Sequence, residues 1–138
     1  MEKLNDICNV LKYSKTIAVI GISDNPDRSS VQIAEFLLQK GYNVIGVNPK
    51  ITSSGSIKVY PSLLDIPEKI DIVDVFRRSE FIAELIPDVL AIKPNTLWLQ
   101  QGIRNDEAVK PVEEAGINVI QDKCIAVYFN LCKSTNKE

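Results

Sequence analysis

A chain of 138 residues with 45% apolar and 25% charged side chains can bury one core without a metal or disulfide staple. Its net charge of -2 offers no general attraction to nucleic acid or to an anionic membrane, so any basic site must be local. There is no histidine, which removes Ser–His and Cys–His nucleophilic sites, histidine general bases, phosphohistidine relays and the common zinc ligand sets.

Within 1–14, Leu4, Ile7, Cys8 and Leu11 recur at helical spacing and predict a short N-terminal helix. Charges alternate there with single apolar residues, so no signal peptide is expected. No run approaches the roughly 20 apolar residues of a membrane helix. Thr16 to Ile20 reads as an apolar strand ending at Gly21, followed by a polar loop and an amphipathic helix from Ser30 to Lys40. Val31, Ala34, Leu37 and Leu38 form that helix's inward stripe, Ser29 or Ser30 its N-cap, and Gly41 its C′ residue.

Asn43 to Val47 is the second strand and ends in Asn48-Pro49-Lys50. Thr52 to Ser56 is expected to be flexible, being too polar and too rich in small residues to pack. Lys58 to Tyr60 suits a short strand, and Pro61 to Ile66 a helical turn. Ile70 to Phe76 is nearly continuous in Ile and Val, as in a parallel strand covered on both faces. Phe81, Ile82, Leu85, Ile86, Val89 and Leu90 repeat on one helix face, which Pro87 should break or restart. Thr96 to Gln100 is the next strand, followed by Gln101-Gly102. Asn105 then caps a helix carrying Ala108, Val109, Val112 and Ala115 and closed by Gly116. Asn118 to Ile120 is the last strand, Ile125 to Leu131 a terminal helix, and 133–138 a frayed tail.

Strands alternating with helices imply one α/β domain over 1–138, a doubly wound parallel sheet of about five strands with helices on both faces. Cys8, Cys124 and Cys132 are odd in number and lack C-x-x-C spacing, which implies reduced thiols in the cytoplasm rather than a disulfide framework. Cys8 and Cys132 read as small buried hydrophobes on helix faces. Cys124, past the last strand and next to Lys123, is the candidate reactive thiol, with burial as the alternative. Asp74, inside an apolar strand, needs a hydrogen-bonding partner; it reads as structural, with a role near the ligand as the alternative.

A buried strand, a glycine turn and a helix open an α/β nucleotide-binding unit, and the free N–H groups of the helix suit a phosphate. The dinucleotide fingerprint G-x-G-x-x-G is absent, as are the acidic residue after the second strand and any P-loop. The strands' carboxyl ends, where ligands of open sheets bind, instead carry Arg28, Lys50, Arg77 with Arg78, and Lys123. Lys50 stands where a carboxylate would suit an unphosphorylated ribose. A nucleotide with a ribose phosphate fits better, either coenzyme A or NADP. Against this stand Asp24 and Asp27 in the same loop, and the ordinary preference of Arg and Lys for surfaces.

Thr16 to Arg28 resembles the opening of the small stand-alone CoA-binding domain proteins. So do Asn48-Pro49, Val59 to Leu63, Asp71 to Arg78, Trp98 to Gln100 with Gly102, and Asp122-Lys123-Cys124. That family is similar in fold to the N-terminal CoA-binding domain of the succinyl-CoA synthetase α subunit, a Rossmann-like domain. The resemblance implies that Gly21, Ser23, Arg28 and Ser30 lie at the phosphates, with Ile22 and Ser29 in the same loop. It implies that Asn48, Pro49 and Lys50 lie near the adenosine, and that Phe76, Arg77, Arg78, Leu99 and Gln100 line the cleft. After Cys124 this chain has Ile125 to Phe129 where many relatives carry a basic and acidic stretch. With no histidine, the synthetase's phosphohistidine chemistry has no counterpart.

The expected function is a non-catalytic module that binds coenzyme A or an acyl-CoA, in the cytoplasm, with no metal, nucleic acid or membrane partner. The alternatives are a thiol-redox protein using Cys124 with CoA, an NADP-binding oxidoreductase-like domain, and a subunit lending its domain to a larger complex. A homo-oligomer covering Ile125 to Leu131 is also compatible with the sequence.

Overall fold

A computed structural model of the chain describes residues 3–135. Its elements, in order, are α1 (Leu4–Tyr13), β1 (Thr16–Ile20), α2 (Ser29–Gln39), β2 (Asn43–Val47), β3 (Ser53–Ser54) and β4 (Ile57–Tyr60). A 3-10 turn at Leu63–Asp65 leads to β5 (Ile72–Val75), and a second at Ser79–Phe81 leads to α3 (Ile82–Ile92). Then follow β6 (Thr96–Leu99), α4 (Asp106–Glu114), β7 (Asn118–Ile120) and α5 (Ile125–Thr135).

Among the described residues the sheet has seven strands in the order β3-β4-β2-β1-β5-β6-β7. Every pairing is parallel except β3 with β4. The doubly wound parallel architecture is therefore as expected, with a wider sheet than five strands. From β1 the chain winds outward through β2 and β4, then returns to the other side of β1 with β5 and winds on through β6 and β7. The winding direction reverses between β1 and β5, and in open α/β sheets ligands bind at that point, outside the carboxyl ends.

Alternate residues of each strand feed two cores. On one face Ile17, Val19, Ile72 and Trp98 meet Ile7 and Leu11 of α1, Val31, Ala34 and Leu37 of α2, and Ile125 of α5. On the other, Ala18, Ile20, Val73, Val75 and Leu97 meet Ile82, Ile86 and Val89 of α3 and Val109 and Val112 of α4. No helix among the described residues is long and apolar enough to cross a membrane.

Several local expectations are corrected. Cys8 and Cys132 are not free thiols but a disulfide, because α1 and α5 pack side by side and bring their Cα atoms to 5.4 Å, within bonding geometry. Cys124 is the free cysteine. The stretch expected to be flexible contains β3, whose antiparallel pairing with β4 and whose buried Ser54 hold it in place. Pro87 lies within α3 without ending it, since Ile82, Ile86 and Val89 on either side are buried against the sheet. Burying those three side chains outweighs a proline penalty of about 3 kcal/mol. Leu38 leaves the buried stripe of α2 and is partly exposed, and the N-cap of that helix is Arg28, with no side-chain bond, rather than a serine. Asn105 does cap α4, accepting from the Ala108 N–H at 3.1 Å. The tail expected to fray over 133–138 is helical to Thr135, and its remainder, 136–138, lies outside the described residues.

Candidate functional site

The site begins where β1 ends. Gly21 has φ +86, and a Cβ on it would stand 2.5 Å from the Phe76 carbonyl oxygen, so both backbone conformation and space demand glycine. That close approach joins the carboxyl ends of β1 and β5, the two strands flanking the reversal.

The loop after Gly21 is fixed by its own bonds. The Ser23 N–H donates to Ser30 Oγ at 3.1 Å, the Asn25 N–H to Ser23 Oγ at 2.9 Å, and the Asp27 N–H to Asn25 Oδ1 at 3.0 Å. Ser54 Oγ donates to the Ser23 carbonyl at 2.6 Å and Asn48 Nδ2 to the Ile22 carbonyl at 2.8 Å, while Asn48 Oδ1 accepts from the Lys50 N–H at 2.8 Å. Ser23 and the Asn48 side chain thus spend their polar atoms shaping the loop. Ile22 is fully buried: Gly46 lacks a Cβ where one would lie 2.7 Å from an Ile22 methyl and 2.8 Å from a Val59 methyl. Leu99 is equally buried on the opposite core face.

What the loop leaves open is the start of α2. Val31 and Gln32 donate to the Arg28 carbonyl, whereas among the described residues the Ser29 and Ser30 N–H groups have no protein partner. These two residues line a cavity of about 630 Å³ together with Gly21, Arg28, Phe76, Arg77, Arg78, Gln100 and Cys124. A second cavity of about 470 Å³ is lined by Asn48, Pro49, Lys50, Ser62, Leu63, Asp88 and, again, Gly21 and Arg77. The two share Gly21 and Arg77 in their linings and lie side by side across the strand ends, a cleft of two adjoining cavities. Most of the expected site residues therefore converge, with Ile22, Ser23 and Leu99 outside the cavity walls.

Arg77 stacks over the Phe81 ring at 5.3 Å and pairs with Glu84 at 3.6 Å. Arg78 is more exposed and pairs loosely with Glu80 at 3.9 Å. Lys123, read from sequence as a further cation of this rim, donates its ammonium to the Gln121 carbonyl at 3.4 Å, and its own carbonyl accepts from Trp98 Nε1 at 2.7 Å. Asp88 of α3, and Ser62 and Leu63 at the start of the 3-10 turn after β4, also enter the cleft; Ser62 and Leu63 fall in a segment that carries the family resemblance without being expected at the site, and nothing in the local sequence marks Asp88. A cavity of similar size, about 650 Å³, lies at the far end of the sheet between α1 and β7. It is lined by Asp6 and Glu113 and by no Lys or Arg, so it lacks the cations that the first cleft carries.

Asp74 lies in the core beneath this region, paired in register with Val19 and Trp98. Both its carboxylate oxygens are buried without a hydrogen-bond partner among the described residues, contrary to the partner its sequence setting calls for, and burial pushes its pKa well above the ordinary carboxylate value.

The model of a family described as a CoA binding domain matches residues 15–130. The chain is 42% identical over 128 residues to the uncharacterized protein YneT of Bacillus subtilis (strain 168), covering 93% of this chain and 95% of that one. It is 34% identical over 83 residues to acetate–CoA ligase (ADP-forming) II of Archaeoglobus fulgidus, covering 59% of this chain and 12% of the ligase. A solved structure from Thermus thermophilus superposes with a TM-score of 0.91 at 36% identity, covering 95% of this chain and 99% of that one.

Proposed function

This chain belongs to the CoA binding domain family, and we propose that its cleft binds coenzyme A, as the free thiol or an acyl thioester, in a binding rather than a catalytic role. The observation that carries the reading is the pair of adjoining cavities that share Gly21 and Arg77, at the reversal of the sheet. In this reading the pyrophosphate sits at that junction, met by the free N–H groups of Ser29 and Ser30 and by Arg28 and Arg77. The adenosine and its 3′-phosphate occupy the smaller cavity beside Lys50, and the pantetheine arm runs through the larger one toward Cys124.

Calorimetric titration of variants tests the arrangement. Charge-assisted bonds to phosphate contribute about 1.5–3 kcal/mol, so Arg28→Ala is expected to weaken CoA binding about tenfold or more. Lys50→Ala is expected to weaken CoA but leave dephospho-CoA, which lacks the 3′-phosphate, unchanged. Equal losses for the two ligands would remove Lys50 from the 3′-phosphate.

A second reading is favoured by Cys124, the free cysteine, lining the same cavity. Its thiolate would attack the disulfide of oxidised coenzyme A, forming a Cys124–CoA mixed disulfide and releasing one CoA thiolate. A CoA-sized mass adduct, removed by a reducing agent and absent from Cys124→Ser, is the expected signature.

A further inference from the structure

Gln100 is a polar side chain lining the cleft's cavity of about 630 Å³ whose chemistry the coenzyme reading leaves unused. It stands just past β6, only 4% exposed. Its Oε1 accepts from the Ile125 N–H, the first of α5, at 3.2 Å. That bond fixes the orientation of the amide, because an N–H requires the oxygen opposite it. Nε2 is left as a two-proton donor with no protein acceptor among the described residues. It is also absent from the fully buried, unpartnered polar atoms, which are the Asp74 oxygens and Thr96 Oγ1. The group is therefore neither satisfied nor sealed off, and the cavity that Gln100 lines is the one shared with Arg28, Arg77 and Cys124.

A nine-tenths-buried donor of this kind costs stability unless something accepts from it. An occupant that shields this donor from solvent keeps the bond only by offering an acceptor, and a neutral one suits it, since the cations on the phosphate side of the cavity already answer negative charge. We infer that Gln100 Nε2 donates to a carbonyl oxygen of the pantetheine arm, making Gln100 the residue that distinguishes an arm-bearing coenzyme from its nucleotide portion alone. The inference rests on the coenzyme reading above. Ile125 directly follows Cys124, and Gln100 and Cys124 line the same cavity, so the inference places the bound carbonyl toward the end of the arm that the coenzyme reading runs to Cys124.

Gln100→Glu tests this, since it keeps an oxygen for the Ile125 N–H and replaces the donor with an acceptor. Affinity for CoA is expected to fall about tenfold, whereas affinity for adenosine 3′,5′-bisphosphate, which has no arm, stays at the wild-type value. Equal losses for both ligands, or no loss for CoA, would overturn the inference. In the wild-type protein, the Gln100 side-chain NH₂ resonances are expected to shift on adding CoA and to stay in place with the bisphosphate. Resonances indifferent to CoA would overturn the inference even if the variant did not fold. Wild-type protein that binds the bisphosphate and CoA equally well refutes the Gln100 contact and leaves the nucleotide site standing; binding of neither refutes the coenzyme reading itself.

Discussion

Asp74 is a carboxyl group that the core has to keep protonated. With both oxygens buried and unpartnered, its pKa lies well above the ordinary value of 3.8. Between those two values the folded protein retains a proton that the unfolded chain has released, so stability falls as pH rises through that interval. Asp74→Asn has nearly the same shape and cannot ionise. Its melting temperature is expected to match wild type near pH 4 and to exceed it at pH 7–8, with a flatter profile between; parallel profiles would contradict the assignment. The sequence marks Asp74 as anomalous because a carboxylate interrupts an Ile/Val run, but burial without a partner depends on three helices covering that face. Gly21 was legible for a different reason. A glycine between an apolar strand and a polar loop announces a turn, and the structure adds the carbonyl 2.5 Å from its missing Cβ. Ser23 was legible as a member of the loop after β1 and Asn48 as the end of β2, but not their part in fixing that loop, because it depends on partners from other elements: Ser54 and Ser30 for Ser23, and Ile22 for Asn48.

At the scale of elements, α5 is anchored at both ends. Its first N–H bonds Gln100 at the cleft, and Cys132, near its far end, is bonded to Cys8 of α1. The disulfide spans 124 residues of sequence, so it restricts the unfolded chain strongly, and its loss is expected to cost about 2–4 kcal/mol. Chemical denaturation of Cys8→Ser/Cys132→Ser should show that loss with CoA affinity preserved, because the bond lies two turns of α5 away from the cleft. Unchanged stability would mean that packing alone holds α1 to α5. No spacing rule could have paired two cysteines at opposite ends of the chain. Pro87 and β3 were misread for a related reason: proline and small polar residues are local signals, and burial of Ile82, Ile86, Val89 and Ser54 overrides them. The strands and helices with strong periodicity, by contrast, stand within a few residues of where the pattern puts them.

The whole molecule brings together what the individual elements leave scattered. Arg28, Lys50 and Arg77 follow three different strands, and only the reversal between β1 and β5 brings them to two adjoining cavities on a chain of net charge -2. A cavity of comparable volume at the other end of the sheet is lined by Asp6 and Glu113 and by no Lys or Arg, so in the coenzyme reading charge, rather than size, distinguishes it from the cleft. The cleft has a cation where a dinucleotide fold would carry a carboxylate for the ribose diol, and a single glycine where that fold carries three. The cation suits a ribose phosphate, which coenzyme A and NADP both carry, and it is the missing glycines that count against a nicotinamide dinucleotide. The direct measurement is parallel calorimetric titration of the purified protein with CoA and with NADP. Saturable 1:1 binding of CoA, at least tenfold tighter than NADP, is the predicted result; NADP binding as tightly as CoA, or no binding of CoA at all, would contradict it.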